Sequence, residues 1–145
     1  MIIRDFKPAD INDIIRIEYE SFRHPYPIDI ILQLYEAGAG FLVAEDSSNI
    51  LGYIIFWLKD NIGHIIVIAV DSRYRGMSIG SLLLQNALQI FKLNGIKDIK
   101  LEVKKTNIGA IHFYQENNFK HIGEEENYYE DGETAVIMLY THEDL

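Results

Sequence analysis

A chain of 145 residues with 48% apolar residues is long enough for one domain with a single sizeable core. It has no cysteine, which excludes disulfides, thiolate metal sites and cysteine nucleophiles. A formal net charge of −9 argues against a nucleic-acid or anionic membrane surface and favours basic partners.

The opening MIIRDFKPAD lacks the basic and apolar regions of a signal peptide. The longest apolar runs, GYIIFWL and IIVIAV, are too short to span a bilayer, so a cytoplasmic protein is expected. IIRDF reads as a first strand. PADINDIIRIEYESF follows as a helix, with Pro8 at its start and Ile11, Ile14, Ile15, Glu18 and Phe22 at helical spacing. RHPYP ends that helix, because its prolines cannot continue it. IDIILQLYEAG is a second helix stopping at Gly38. GFLVAED and ILGYIIFWL are strands joined by the polar turn SSN, which predicts a hairpin. GHIIVIAV is apolar throughout, so it belongs in the middle of a sheet.

A leucine-rich helix then runs to Asn94-Gly95. KDIKLEVKK alternates Ile99, Leu101 and Val103 with charged residues, the pattern of a strand with one buried face. NIGAIHFYQENN is a helix capped by Asn107. FKHIGEEENYY and ETAVIMLY are two closing strands around the turn EDG. The order β-α-α-β-β-β-α-β-α-β-β predicts an α/β fold with a mixed sheet. The strand-helix-strand unit from Gly63 to Lys104 is expected to be a right-handed parallel crossover. Nothing marks a second domain, so residues 1–145 read as one.

VDSRYRGMSIGSLLLQ lies between the apolar strand and the leucine-rich helix. A turn in that place aims the first free N–H groups of the helix at one point, and the helix dipole adds positive charge there. Gly76 and Gly80 allow close approach, and Arg75 adds a bidentate donor. The physical reading is a phosphate or diphosphate site. Its spacing is neither the dinucleotide G-x-G-x-x-G nor the P-loop.

Arg75-Gly76-Met77-Ser78-Ile79-Gly80 after a strand ending in AVD resembles the cofactor motif of the GNAT superfamily of N-acetyltransferases. NIGAIHFYQENNF is similar to that family's Asn-x-x-Ala-x-x-x-Tyr-x-x-x-Gly-Phe, with Asn107, Ala110, Tyr114 and Phe119 in place. NYYEDGETAVIM resembles the closing strands of its RimI-like and archaeal Ard-like branch, which acetylates protein N-termini. The resemblance covers nearly the whole chain. It implies a GNAT-like fold: a mixed, mostly antiparallel sheet of about seven strands, about four helices, and a splayed parallel pair at the acetyl-CoA site. Two positions depart from the pattern. Asn118 stands for a glycine and tolerates a left-handed backbone. Ser78 stands for the middle glycine; we expect it at negative φ, with its hydroxyl capping the helix or donating to phosphate.

The resemblance further implies acetyl-CoA as cofactor. Its diphosphate is expected on Arg75, Gly76, Met77, Ser78, Ile79, Gly80 and Ser81, its arm along the edge of Ile68, Ala69 and Val70, with Asn107 as a further anchor. Tyr114 matches the family's acid for the leaving thiolate. Glu102 matches the base in the LEV segment of RimI-like enzymes, and burial beside an apolar groove is expected to raise its pKa. His24 and His64 are rival bases. Tyr26, Tyr128 and Tyr129 offer flat faces and hydroxyls for a peptide between the FRHPYP loop and the NYYEDG hairpin, with His24 and His64 beside them. No metal site is expected. The implied reaction is acetyl transfer to a protein N-terminal α-amine, ribosomal proteins included, by a monomer or homodimer. A small amine as acceptor, or a non-catalytic acyl-CoA-binding module, are the alternatives.

Overall fold

The computed structural model describes residues 1–58 and 61–145. In chain order its elements are β1 (Ile2–Asp5), α1 (Ile11–Ser21), α2 (Ile28–Glu36), β2 (Gly40–Asp46), β3 (Asn49–Trp57), β4 (Ile62–Val70), α3 (Ile79–Leu93), β5 (Asp98–Lys104), α4 (Ile108–Glu116), β6 (Lys120–Glu125) and β7 (Ala135–Thr141). The order is the one the sequence pattern predicts. A seven-stranded sheet runs β1-β2-β3-β4-β5-β7-β6, with the apolar β4 at its centre. Every neighbouring pair is antiparallel except β4 with β5. No helix among the described residues is long and apolar enough to cross a membrane.

The helices cover both faces. On one side α3 buries Leu83, Leu84, Ala87, Leu88 and Phe91 against the sheet, joined by Tyr114 of α4. On the other side α1 and α2 bury Ile14, Ile17 and Ile31. The β2–β3 turn holds Ser47 and Ser48 at φ of 50° and 68°, the positive values that a two-residue hairpin turn needs. One segment differs from its sequence expectation. Tyr128 and Tyr129 lie in the connection between β6 and β7, not in a strand. Asn127 takes φ of 53° just before them, which turns the chain out of the ladder.

Two features of β4 set the geometry at the centre of the sheet. Its ladder with β3 jumps from Ile55↔Val67 to Phe56↔Ile65, leaving Ile66 as an extra residue. Such a bulge reverses the side-chain alternation and bends the strand. Ile65 therefore packs on the α3 side, whereas Val67 and Ala69 pack on the α1 side. The parallel ladder with β5 holds only at Ile62↔Asp98, Gly63↔Ile99 and His64↔Lys100. Beyond those pairs the strands part. This is the splayed pair that the family resemblance implies.

Candidate active site

The site forms where that ladder ends. A Cβ on Gly63 would meet the Phe91 ring, so Gly63 faces α3 and its neighbour His64 faces the α1 side. On β5, Ile99, Leu101 and Val103 belong to the α3-side core, so Glu102 also faces the α1 side. The two side chains meet there, with His64 Nε2 at 2.7 Å from Glu102 Oε1. Tyr128 donates its hydroxyl to the same oxygen at 3.2 Å. Oε2 is buried and has no hydrogen-bond partner among the described residues.

A buried acceptor of this kind invites a donor. Burial pushes the Glu102 carboxyl up, but His64, Lys100 and Tyr128 outweigh it and hold it below the ordinary glutamate value. The expected rise in its pKa is therefore corrected to a fall. Hydrogen bonds to the charged form and nearby positive charge together outweigh desolvation here, although desolvation is the largest single influence.

Tyr26 and Tyr129 complete the surroundings. Burial pushes both phenols up, and the Glu102 carboxylate is among the charges acting on each. Tyr128 and Tyr129 contact edge to face, with ring centres 5.0 Å apart. Lys104 sits over the Tyr129 ring and pairs with Asp131 and Glu133, which ties the connection to β5. His24 is not brought to the pair. Its Nε2 lies 3.8 Å from Asp131 and the side chain is exposed.

Tyr114 lies on the opposite face of the sheet, between Phe113 and Phe119. Burial, helped by Tyr129, raises its pKa. Its phenol is therefore protonated throughout the neutral range, able to donate a hydrogen bond without giving up the proton.

The glycine-rich turn is anchored beneath the surface. Asp71, 1% exposed, accepts from the Arg73 backbone N–H at 2.9 Å and from Arg16 of α1 at 2.7 Å. Ile79, also buried, pins the start of α3. Between them the turn stands exposed. Gly76 takes φ of 81°, which accounts for the glycine, since a Cβ there would meet nothing. Gly80 packs near Phe113, where a Cβ would sit 3.3 Å from the ring.

Ser78 takes φ of 64°, in the left-handed region, and its side chain makes no capping hydrogen bond. The expectation of negative φ and a capping hydroxyl is corrected. The chain must reverse sharply between Gly76 and the first turn of α3, and a left-handed residue makes that bend. Asn118 is left-handed as expected, at φ of 69°.

Without a cap, the first amides of α3 (Ile79, Gly80, Ser81) keep their hydrogen-bonding capacity for an anion. That donor set fits a diphosphate. The strand edge fits a pantetheine arm in part. Asp71 N–H donates to Leu51 O, so Ala69 bonds toward β3, and Ile68 and Val70 turn their amides and carbonyls into the gap. Ala69 is thus removed from the expected edge. Arg75 lies across this gap, with Nε donating to Val70 O at 3.2 Å and Nη2 to Ser21 Oγ at 3.3 Å. Asn107 Oδ1 caps α4 by accepting from Ala110 N–H, which leaves its Nδ2 as the free donor.

Sequence reasoning gave no site role to two residues beside Tyr26, Glu18 and Tyr53. Glu18 is 1% exposed and bonded to the Tyr53 hydroxyl. The signal was a glutamate on the apolar face of α1.

Residues 9–119 match the acetyltransferase (GNAT) family. An uncharacterised N-acetyltransferase of Methanocaldococcus jannaschii is 36% identical over 141 residues, covering 96% of this chain and 90% of that one. An N-alpha-acetyltransferase of Sulfolobus acidocaldarius is 35% identical over 144 residues, covering 90% and 86%. The crystal structure of Ard1 from Thermoplasma volcanium superposes with a TM-score of 0.92 at 30% identity, covering 97% of this chain and 96% of that one. With a splayed parallel pair, an uncapped helix start at a glycine turn, and relatives matched over almost their full length, the chain belongs to the acetyltransferase (GNAT) family.

Proposed function

We propose that this protein acetylates the N-terminal α-amine of a protein or peptide, with acetyl-CoA as donor. The observation that carries this reading is the buried Glu102 Oε2, an acceptor without a donor among the described residues, near the end of the parallel ladder. The name of the Sulfolobus relative, an N-alpha-acetyltransferase, supports the α-amine.

Acetyl-CoA supplies an activated acyl thioester. The residues that would hold it are the amides of Ile79, Gly80 and Ser81, the guanidinium of Arg75, and the edge of Ile68 and Val70 that β5 leaves beyond the ladder. Glu102 and His64 orient the acceptor amine: Oε2 accepts one of its N–H groups, and the pair takes up the proton that the nitrogen loses. A carboxylate held below its ordinary pKa is a weak base. That suits an α-amine, which titrates near pH 7.7–8.0 and is partly neutral already, better than a lysine near 10.4. The gap of about 2.5 pKa units amounts to about 3.4 kcal/mol against lysine at neutral pH. Tyr114 holds its proton at Oη, where a hydrogen bond stabilises negative charge on a departing thiolate. Tyr26 on one side and Tyr128 with Tyr129 on the other form the walls for an extended peptide.

A matched peptide pair tests the reading. One peptide has a free α-amine; the other is N-terminally blocked and carries an internal lysine. Mass spectrometry locates the acetyl group, and ribosomal protein N-termini belong in the panel. Faster acetylation of the lysine, or of a polyamine, overturns the assignment.

A further inference from the structure

Glu18 shares the inward face of α1 with Ile14 and Ile17 and is 1% exposed. A buried carboxylate is costly unless paired. Among the described residues no cation lies within ion-pair distance of Glu18, yet both its oxygens are engaged. Oε1 accepts the hydroxyl of Tyr53, from the middle of β3, and Oε2 accepts the Tyr26 backbone N–H at 2.9 Å. Burial pushes the carboxyl up, and these two hydrogen bonds only partly offset it.

The tether acts where little else holds the chain. Tyr26 lies in the connection between α1 and α2, beside Pro25 and Pro27. Among the described residues, no other backbone amide from Arg23 to Tyr26 makes a hydrogen bond. Among the described residues His24 reaches the side chain of Asp131, in an exposed contact that salt screens. The other end of the tether is rigid. Tyr53 is fully buried and registers with Ala69 of β4, the strand that carries His64. Tyr26 itself lies within the field of the Glu102 carboxylate.

We propose that Glu18 is a positioning residue for the acceptor. It clamps the Tyr26 segment to β3 and so fixes one wall of the peptide groove relative to the His64–Glu102 pair. The inference rests on the peptide-acetylating reading of the site. It explains why α1 carries a carboxylate at a position where leucine would bury more easily: leucine cannot accept the Tyr26 amide.

Three variants separate positioning from mere folding. Glu18→Leu removes both acceptors at similar size. Glu18→Gln keeps an acceptor for the Tyr26 amide and can donate to the Tyr53 oxygen. Tyr53→Phe removes one donor and leaves Glu18 in place. Amide hydrogen exchange at Tyr26, acetyl-CoA affinity, and peptide KM and kcat are measured for each.

In the wild type the Tyr26 amide exchanges more slowly than those of Arg23 and His24. In Glu18→Leu that protection disappears and peptide KM rises by about tenfold, the scale of one charge-assisted hydrogen bond. Acetyl-CoA affinity stays within about twofold, and kcat changes less than KM. Glu18→Gln restores both protection and KM. An unprotected Tyr26 amide in the wild type overturns the proposal. So does a folded Glu18→Leu with wild-type peptide KM, or a Glu18→Gln as impaired as Glu18→Leu. If Glu18→Leu does not fold, Tyr53→Phe carries the kinetic test, and an unchanged peptide KM there overturns the proposal. A wild type that acetylates no peptide sinks the functional reading instead, and the exchange measurement still decides the tether.

Discussion

His64 Nε2 and Glu102 Oε1 lie 2.7 Å apart across two parallel strands, with His64 in the last pair of their shared ladder and Glu102 two residues beyond it. The contact exists because β4 and β5 turn these residues to the same face and then separate. Glu102→Gln keeps the shape and removes the charge. It is expected to lower kcat/KM by about 10²-fold, the low end for a positioned acid–base group. His64→Ala should reduce it as well, whereas His24→Ala, whose side chain meets Asp131, should reduce it least. Thiol release at saturating acetyl-CoA, followed from pH 5 to 9, gives the ranking. A larger loss from His24→Ala would move the base to the α1–α2 loop.

Tyr114→Phe removes one hydroxyl from a site packed between Phe113 and Phe119. The ring packing survives, so stability should change by under about 1 kcal/mol. Turnover should fall by about tenfold to a thousandfold, the range for loss of one donor to developing negative charge. Acetyl-CoA affinity by calorimetry should hold steady. Equal turnover in the variant would reduce Tyr114 to a core residue.

Ser78 sits at φ of 64° without a capping bond. A left-handed serine costs on the order of 1 kcal/mol. Glycine removes that strain but adds unfolded-chain entropy, which offsets part of the gain. Ser78→Gly should therefore stabilise the fold by about 0.5 kcal/mol in urea denaturation. Acetyl-CoA affinity should stay within about tenfold, because the amides of α3 are free with either residue. A tightening beyond that range would show that the Ser78 side chain obstructs the diphosphate.

Asp71 joins α1 to the turn through Arg16 while accepting from the Arg73 side chain and backbone. Those hydrogen bonds, Arg73 first, hold its carboxyl well below the ordinary aspartate value. Its contribution to stability is thus fully present above pH of about 4 and fades as pH falls through the lower folded value. Asp71→Asn should cost about 1–3 kcal/mol at pH 7 and flatten the loss of stability in acid. Thermal unfolding between pH 2 and 7 measures both. An identical acid profile in the variant would remove Asp71 from this role.

Local pattern alone placed every strand and helix in the right order. Apolar period, prolines and glycines are signals that neighbouring residues carry, and Asn107, Gly38 and Gly95 ended or capped helices where the chain said they would. The glycine turn was legible for the same reason, as a short stretch between two strongly patterned segments. The tertiary structure decided what depends on residues far apart. The bulge at Ile66 is set by a register with β3 that no local run of β4 reveals. It sends Ala69 toward β3 and leaves Ile68 and Val70 at the gap. The sign of the Glu102 shift turned on His64, thirty-eight positions away, which together with Lys100 and Tyr128 outweighs burial. Ser78 became left-handed because the turn must meet both Asp71 and the start of α3, a constraint of path and not of residue preference. Glu18 read from the sequence only as one position of a helical face, and β3 and the Tyr26 segment supplied its two donors. Hydrogen-bond partners distant in sequence fix protonation and placement, and only the folded chain brings them within 3 Å.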